Sequence, residues 1–234
     1  VVFLGFVLSA QGVLPDPALI EKILNYPEPR TVKHIRTFLG ICQYLRKHVE
    51  KFSLIARPLY ALTSPYAEKF KKLPPDALKA FHTLKQKLAS PPCLAYPNFD
   101  EEFILETDSS KYGIGALLCQ KGADGKIHPI AYASRRLNEH ESRYGITDQE
   151  GLAVIWALQH FNAIIKGRKI RVITDHAPLA AQLRNPKSDR LYRWTVILNE
   201  FAPTICYRKG RLNEGADCMS RVDYEYPDVS LPNV

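Results

Sequence analysis

No apolar run in these 234 residues approaches the length that spans a bilayer, and the short run over residues 1–8 lacks the basic flank and cleavage pattern of a signal peptide. An intracellular protein with no membrane partner is therefore expected. Cysteine is sparse and odd in number. Cys42, Cys93, Cys119, Cys206 and Cys218 have no paired short spacing, which argues against a zinc site or a disulfide framework and for reduced, packed thiols. Internal repeats and low-complexity segments are also missing. What is present is the 46% hydrophobic and 24% charged content of a globular chain, long enough for one large or two modest domains with real cores.

The formal net charge is +8, a balance that favours a polyanionic partner. Basic residues gather over 30–51, 69–87, 184–193 and 208–211, with Tyr44, Phe70, Tyr192, Trp194 and Tyr207 nearby. Cations beside aromatic rings suit nucleic acid, where charges meet phosphates and rings stack on bases. Taken alone, this is also the composition of an ordinary solvated surface.

Along the chain, Val2-Phe3-Leu4-Gly5-Phe6-Val7 and Ser9-Ala10-Gln11-Gly12 read as two short strands around a turn, beginning as if cut from a larger protein. Asp16-Pro17 then sets a helix start that runs to about Asn25. Thr31 caps a longer helix whose apolar positions Ile35, Phe38, Leu39, Cys42, Leu45 and Val49 keep helical spacing. A lysine-rich connector over residues 66–75 leads to a helix capped by Asp76, with Leu78, Phe81, Leu84 and Leu88 on one side, stopped by Ser90-Pro91-Pro92. That connector permits either a docked or a swinging arrangement of what it joins. The texture then changes to strands over 103–108, 113–120, 129–135, 169–174 and 204–208, with a helix over 147–161 whose Leu152, Ile155, Trp156 and Gln159 face one way. Strands interleaved with helices in this order predict an α/β domain with a mixed sheet.

Four acids fall at element ends. Asp108 closes the first of these strands, and its alternation puts it opposite Phe103 and Leu105; a turn cap is the bland explanation. Thr147-x-x-Glu150 matches a capping box, Asp175 precedes His176 and Pro178 as a helix cap would, and Asp217 suits a first helical turn. Taken together they support another reading. Carboxylates gathered at one end of a sheet repel and raise each other's pKa unless a cation intervenes. Oxygen-only ligands suit Mg²⁺ or Mn²⁺, and two such ions about 4 Å apart clamp an in-line displacement at a phosphodiester.

The segments Thr107-Asp108-Ser109-Ser110, Tyr112-Gly113-Ile114-Gly115-Ala116, Pro129-Ile130-Ala131-Tyr132-Ala133-Ser134-Arg135, Thr174-Asp175-His176-Ala177-Pro178-Leu179 and Ala216-Asp217-Cys218-Met219-Ser220-Arg221, with the helix over 147–158, resemble the ribonuclease H domain of gypsy-type LTR retrotransposon and retroviral reverse transcriptases. Phe3-Leu4-Gly5-Phe6, Phe38-Leu39-Gly40, Tyr44-Leu45-Arg46 and Ala56-Arg57-Pro58-Leu59 resemble the end of the polymerase palm and its thumb. The resemblance implies a ribonuclease H-like mixed five-stranded sheet with flanking helices, an α/β (α+β) fold, preceded by a small helical thumb. It divides the chain into a palm end (1–27), thumb (28–72), connecting helix and linker (73–96), ribonuclease H-like domain (97–222) and tail (223–234).

The resemblance further implies an endoribonuclease that hydrolyses the RNA strand of RNA–DNA hybrids with two Mg²⁺, Mn²⁺ substituting, held by Asp108, Glu150, Asp175 and Asp217, with Asp108 bridging both ions. Ser109, Tyr132, Arg135, Arg193, Trp194 and Arg208 are candidate hybrid contacts, packing being an equal role for Tyr132 and Trp194. Partners would be the hybrid and the fingers and palm or a longer polymerase chain, within cytoplasmic retroelement particles. Two departures stand out. No histidine precedes Gly210-Arg211-Leu212-Asn213, where many ribonucleases H carry one thought to help product release, and no Asp-Asp pair of the polymerase kind occurs anywhere. DNA synthesis by this chain alone is therefore not expected. Rival readings are a non-catalytic nucleic-acid-binding or domesticated fragment and a structural subunit beside a full-length polymerase.

Overall fold

The computed structural model describes residues 1–67, 70–176, 179 and 188–208. Three short antiparallel strands open the chain: β1 (Val2–Phe3), β2 (Phe6–Ser9) and β3 (Gly12–Pro15). The expected two-strand reading is thus corrected. Leu4 and Gly5, both at positive φ, break the first run, and Gly12 begins a strand instead of ending one. Gly12 has φ +135°, and a Cβ there would stand 2.3 Å from the Leu94 carbonyl oxygen. That close approach lets Val13 bridge to Leu94 and ties the opening hairpin to the segment entering the large sheet.

The helices α1 (Pro17–Leu24), α2 (Val32–Tyr44), α3 (Phe52–Ile55), α4 (Arg57–Ala61) and α5 (Pro75–Ala89) surround one apolar core. Local chemistry starts the first two as expected, since Asp16 accepts from the Ala18 amide and Thr31 from the His34 amide. All six stripe residues, Ile35 to Val49, are buried, although α2 ends at Tyr44 and a 3₁₀ turn over Arg46–His48 delivers the last of them. Each fully buried side chain of the size of Phe38 or Phe81 contributes about 1.5–3 kcal/mol. The cap of α5 differs from expectation. Pro74 is the N-cap with Pro75 at the first helical position, and Asp76 lies within the first turn. Although α5 leads toward the strands, its Ala77, Ala80, Phe81, Leu84 and Leu88 fill the helical core.

The second core lies on a mixed five-stranded sheet in the order β6-β5-β4-β7-β8. Strands β4 (Phe103–Ser110), β5 (Gly113–Lys121) and β6 (Ile127–Arg136) form an antiparallel meander, while β7 (Ile170–Thr174) and β8 (Thr204–Tyr207) join parallel to β4. Helix α6 (Ile146–His160) with the short α7 (Asn162–Ile165) makes the crossover to β7, and α8 (Asp189–Phe201) precedes β8. The face of α6 is corrected in part. Ile155 is buried as expected, together with Ala153, Val154, Ala157 and Leu158; Leu152 and Trp156 pack at the margin of the core, and Gln159 is exposed.

The helical unit is docked on the sheet. The Ser53 amide donates to Ser134 Oγ (2.9 Å), the Arg46 guanidinium donates to the Ser134 carbonyl, and the Arg57 guanidinium lies 3.8 Å over the Tyr112 ring. Cys42, Cys119 and Cys206 are buried thiols outside any disulfide and Cys93 is half-buried, as expected; Cys218 lies outside the described residues. Burial pushes the Cys42 thiol up to about 12, so it stays protonated and inert. Among the described residues no helix is long and apolar enough to cross a membrane.

Candidate acidic site at the ends of β4 and β7

Strand periodicity builds one wall of the site. Phe103, Leu105 and Thr107 are buried along β4, which leaves Asp108 on the opposite face. The strand continues through Asp108 to Ser110, and the turn falls on Lys111-Tyr112 with Ser110 Oγ accepting from the Gly113 amide (3.2 Å). Asp108 is therefore a mid-strand carboxylate, which sets aside its reading as a turn cap. In the parallel β4–β7 pair Phe103 faces Ile170 and Glu106 faces Ile173, and β7 ends at Thr174 directly before Asp175, so Asp108 and Asp175 come at the same end of the paired strands. The carboxyl ends of parallel strands are where open α/β sheets place ligands.

Helix α6 supplies the third acid. Its N-cap is Gly145, so Thr147 and Glu150 do not form a capping box. Thr147 Oγ1 instead meets His176 Nε2 at 2.7 Å, which gives His176 a structural partner. Glu150 Oε1 accepts from the Ser109 hydroxyl (2.5 Å), while Oε2 is buried with no hydrogen-bond partner. The residue is 6% exposed. Burial pushes its carboxyl up to about 7; the Ser109 hydrogen bond opposes the rise, and the charges of Asp175 and Asp108 add to it. Those two charges reach Glu150 because the three acids share one end of the sheet.

A cation completes the described cluster. Lys51 Nζ lies 2.6 Å from Asp108 Oδ2, the side chains being 43% and 37% exposed. Burial alone would lower the ammonium's pKa. The hydrogen bond to Asp108 and the charges of Asp108, Glu50 and Asp175 outweigh it and hold the pKa above its ordinary value. Sequence reading counted Lys51 only within a basic helical stretch, and no local signal marks its partner. Asp217, the fourth expected acid, lies outside the described residues. Among the described residues no group of three or more His, Cys, Asp or Glu side chains stands in metal-holding proximity.

The expected nucleic-acid contacts are scattered. Ser109 is engaged by Glu150. Arg135 forms a two-pronged pair with Glu141 (2.7 and 2.9 Å) and lies 5.7 Å over the Trp156 ring. The Arg208 guanidinium pairs with Glu106 (2.9 Å) while its amide donates to the Thr174 carbonyl. Trp194 is 7% exposed, and a Cβ on Gly151 would stand 2.6 Å from its ring. Its indole therefore packs in the core and does not present a stacking face to solvent. Tyr132 is half-buried on β6, and Arg193 is exposed on α8.

Comparison with known proteins adds independent findings. Residues 73–172 match the RNase H-like domain found in reverse transcriptase. The retrovirus-related Pol polyprotein from transposon 297 of Drosophila melanogaster is 37% identical over 229 residues, covering 95% of this chain and 21% of that protein. The transposon Tf2-3 polyprotein of Schizosaccharomyces pombe is 35% identical over 225 residues, covering 94% of this chain and 17% of that one. The chain thus spans about a fifth of the length of these relatives. The fold is shared with the foamy viral protease-reverse transcriptase dRH in complex with double-stranded DNA (TM-score 0.76, 23% identity, 89% of this chain and 38% of that one). It is shared also with the foamy viral protease-reverse transcriptase in complex with an RNA/DNA hybrid (TM-score 0.73, 23% identity, 90% of this chain and 29% of that one). The chain thus aligns over both of its units with the Pol polyproteins of retrotransposons, and it carries the RNase H-like domain found in reverse transcriptase.

Proposed function

We propose that this chain hydrolyses the RNA strand of RNA–DNA hybrids, with Asp108, Glu150, Asp175 and Asp217 as ligands of two Mg²⁺ ions and Mn²⁺ as a substitute. The observation that carries the proposal is the Glu150 carboxylate, which is buried, leaves Oε2 unpartnered and is pushed up to about 7 beside Asp108 and Asp175. A set of oxygen donors with a buried orphan lone pair fits a hard divalent cation. Strained ionisation of this kind is typical of working sites.

Bound there, the metal pair would activate the attacking water and offset charge at the scissile phosphate. The protein's own part is positional. Ser109 holds the Glu150 carboxylate by its Oε1, which leaves Oε2 without a hydrogen-bond partner. Asp108 lies on β4 and Asp175 directly follows β7, the strand paired parallel to it. Glu150 would have to be ionised to hold a cation, which its raised pKa makes pH-dependent near neutrality. The products are a 3′-hydroxyl and a 5′-phosphate.

The substrate class draws support from the foamy viral relative of like fold, whose structure holds an RNA/DNA hybrid. Further partners are the fingers and palm of a reverse transcriptase or a longer polymerase chain, and the setting is a cytoplasmic retroelement particle. A second reading, a nucleic-acid-binding or structural subunit that does not cut, is favoured by the ammonium of Lys51 on Asp108. The test is cleavage of RNA-labelled hybrid in Mg²⁺ by the parent chain and by Asp108→Asn at matched salt. Cuts that vanish in the variant support the enzyme. A parent that binds hybrid and leaves it intact in both Mg²⁺ and Mn²⁺ refutes it.

A further inference from the structure

Lys51 is delivered to Asp108 by a built arrangement. Its backbone sits in the left-handed region (φ 53°, ψ 30°) as the N-cap of α3, a conformation that costs a non-glycine residue about 1–2 kcal/mol. The flanking Val49 and Phe52 are fully buried and hold it there. The α3 turn is pinned to the sheet beside it by the Ser53 amide on Ser134 Oγ, and Leu54 packs so closely over Gly113 that a Cβ there would stand 2.8 Å from Leu54 Cδ2. Gly115 faces Asp108 across the β4–β5 register, and the lysine stem crosses it, Cγ lying 3.8 Å from the place of a Cβ. A freely rotating surface lysine would need none of this.

We propose that Lys51 is a resident member of the acidic site, an ammonium that competes with divalent cations for Asp108, so that docking of the helical unit on β5 and β6 sets the site's metal affinity. This rests on the reading of Asp108 as a metal ligand. The ammonium occupies the outward Oδ2 at hydrogen-bonding distance and supplies one positive charge to the shared end of Asp108 and Asp175. A divalent ion supplies two and must displace it. Since the pair is partly exposed, the competition is modest, worth up to about fivefold in affinity.

The test is calorimetric titration of the full chain with Mn²⁺ in the absence of nucleic acid, comparing the parent with Lys51→Met, Lys51→Arg and Asp108→Asn. Lys51→Met is expected to bind Mn²⁺ about two- to fivefold more tightly, Lys51→Arg within about 1.5-fold of the parent, and Asp108→Asn more weakly than either. Lys51→Gly, which suits the left-handed backbone, removes the ammonium without strain and is expected to follow Lys51→Met. Binding that Asp108→Asn abolishes while Lys51→Met and Lys51→Gly leave it unchanged or weaker would overturn the role of the lysine and spare the metal site. Absence of Mn²⁺ binding in every form would overturn both.

Discussion

Glu150→Gln should stabilise the metal-free protein above neutral pH and do little below pH 5. The carboxyl's pKa rises from an ordinary value near 4.5 to about 7 on folding. Between those values the unfolded chain has released the proton while the folded chain still holds it. The folded state therefore binds more protons, and stability falls as pH rises, at about 1.4 kcal/mol per pH unit for this one group. The gap of about 2.5 pH units caps the loss at about 3 kcal/mol. Glutamine keeps an oxygen for the Ser109 hydroxyl and carries no charge, so it avoids the loss; its amide nitrogen enters the buried position where Oε2 has no partner, which costs about 1 kcal/mol or more. Net stabilisation of about 1–2 kcal/mol at pH 8 is expected, turning to parity or slight destabilisation at pH 5. Urea unfolding in chelator, followed by tryptophan fluorescence at matched ionic strength, reads this, because Trp194 is in the sheet core and Trp156 packs against it. Parallel pH profiles for the two proteins, or a variant that is less stable at pH 8, would refute the reasoning.

Two further substitutions test the packing that holds the site. Gly113→Ala sets a Cβ 2.6 Å from the Arg135 carbonyl, a backbone atom that cannot give way easily, and should cost about 1–3 kcal/mol while speeding hydrogen exchange across α3. Trp194→Ala should lower stability by about 3–5 kcal/mol in a denaturant titration, because the indole is buried against α6; unchanged stability with weakened hybrid binding would return Trp194 to the nucleic-acid surface.

What the sequence made legible was local. Asp16-Pro17 and Thr31 start helices because a side-chain oxygen within three residues satisfies free amides. Alternation along β4 assigned Asp108 to the face away from Phe103 and Leu105. Distant contacts decided the rest. Thr147-x-x-Glu150 has the spacing of a capping box, yet Thr147 meets His176 and Glu150 meets Ser109, partners that only the folded sheet brings near. Arg135 and Arg208 read as free cations until Glu141 and Glu106 are placed beside them. Lys51 belongs to the same class of surprise. Its helical stretch looks like a solvated basic face, and its partner lies in another unit.

The most direct measurement is a strand-resolved cleavage assay, with the RNA and DNA of one hybrid carrying different labels, in Mg²⁺, for the parent and for Glu150→Gln and Asp175→Asn. The account expects the RNA strand alone to be cut by the parent, leaving 3′-hydroxyl ends, and each variant to lose at least about tenfold in rate, the lower end of what disturbing a metal's ligand shell costs. An intact RNA strand with the parent, or cutting that survives both substitutions, would contradict it.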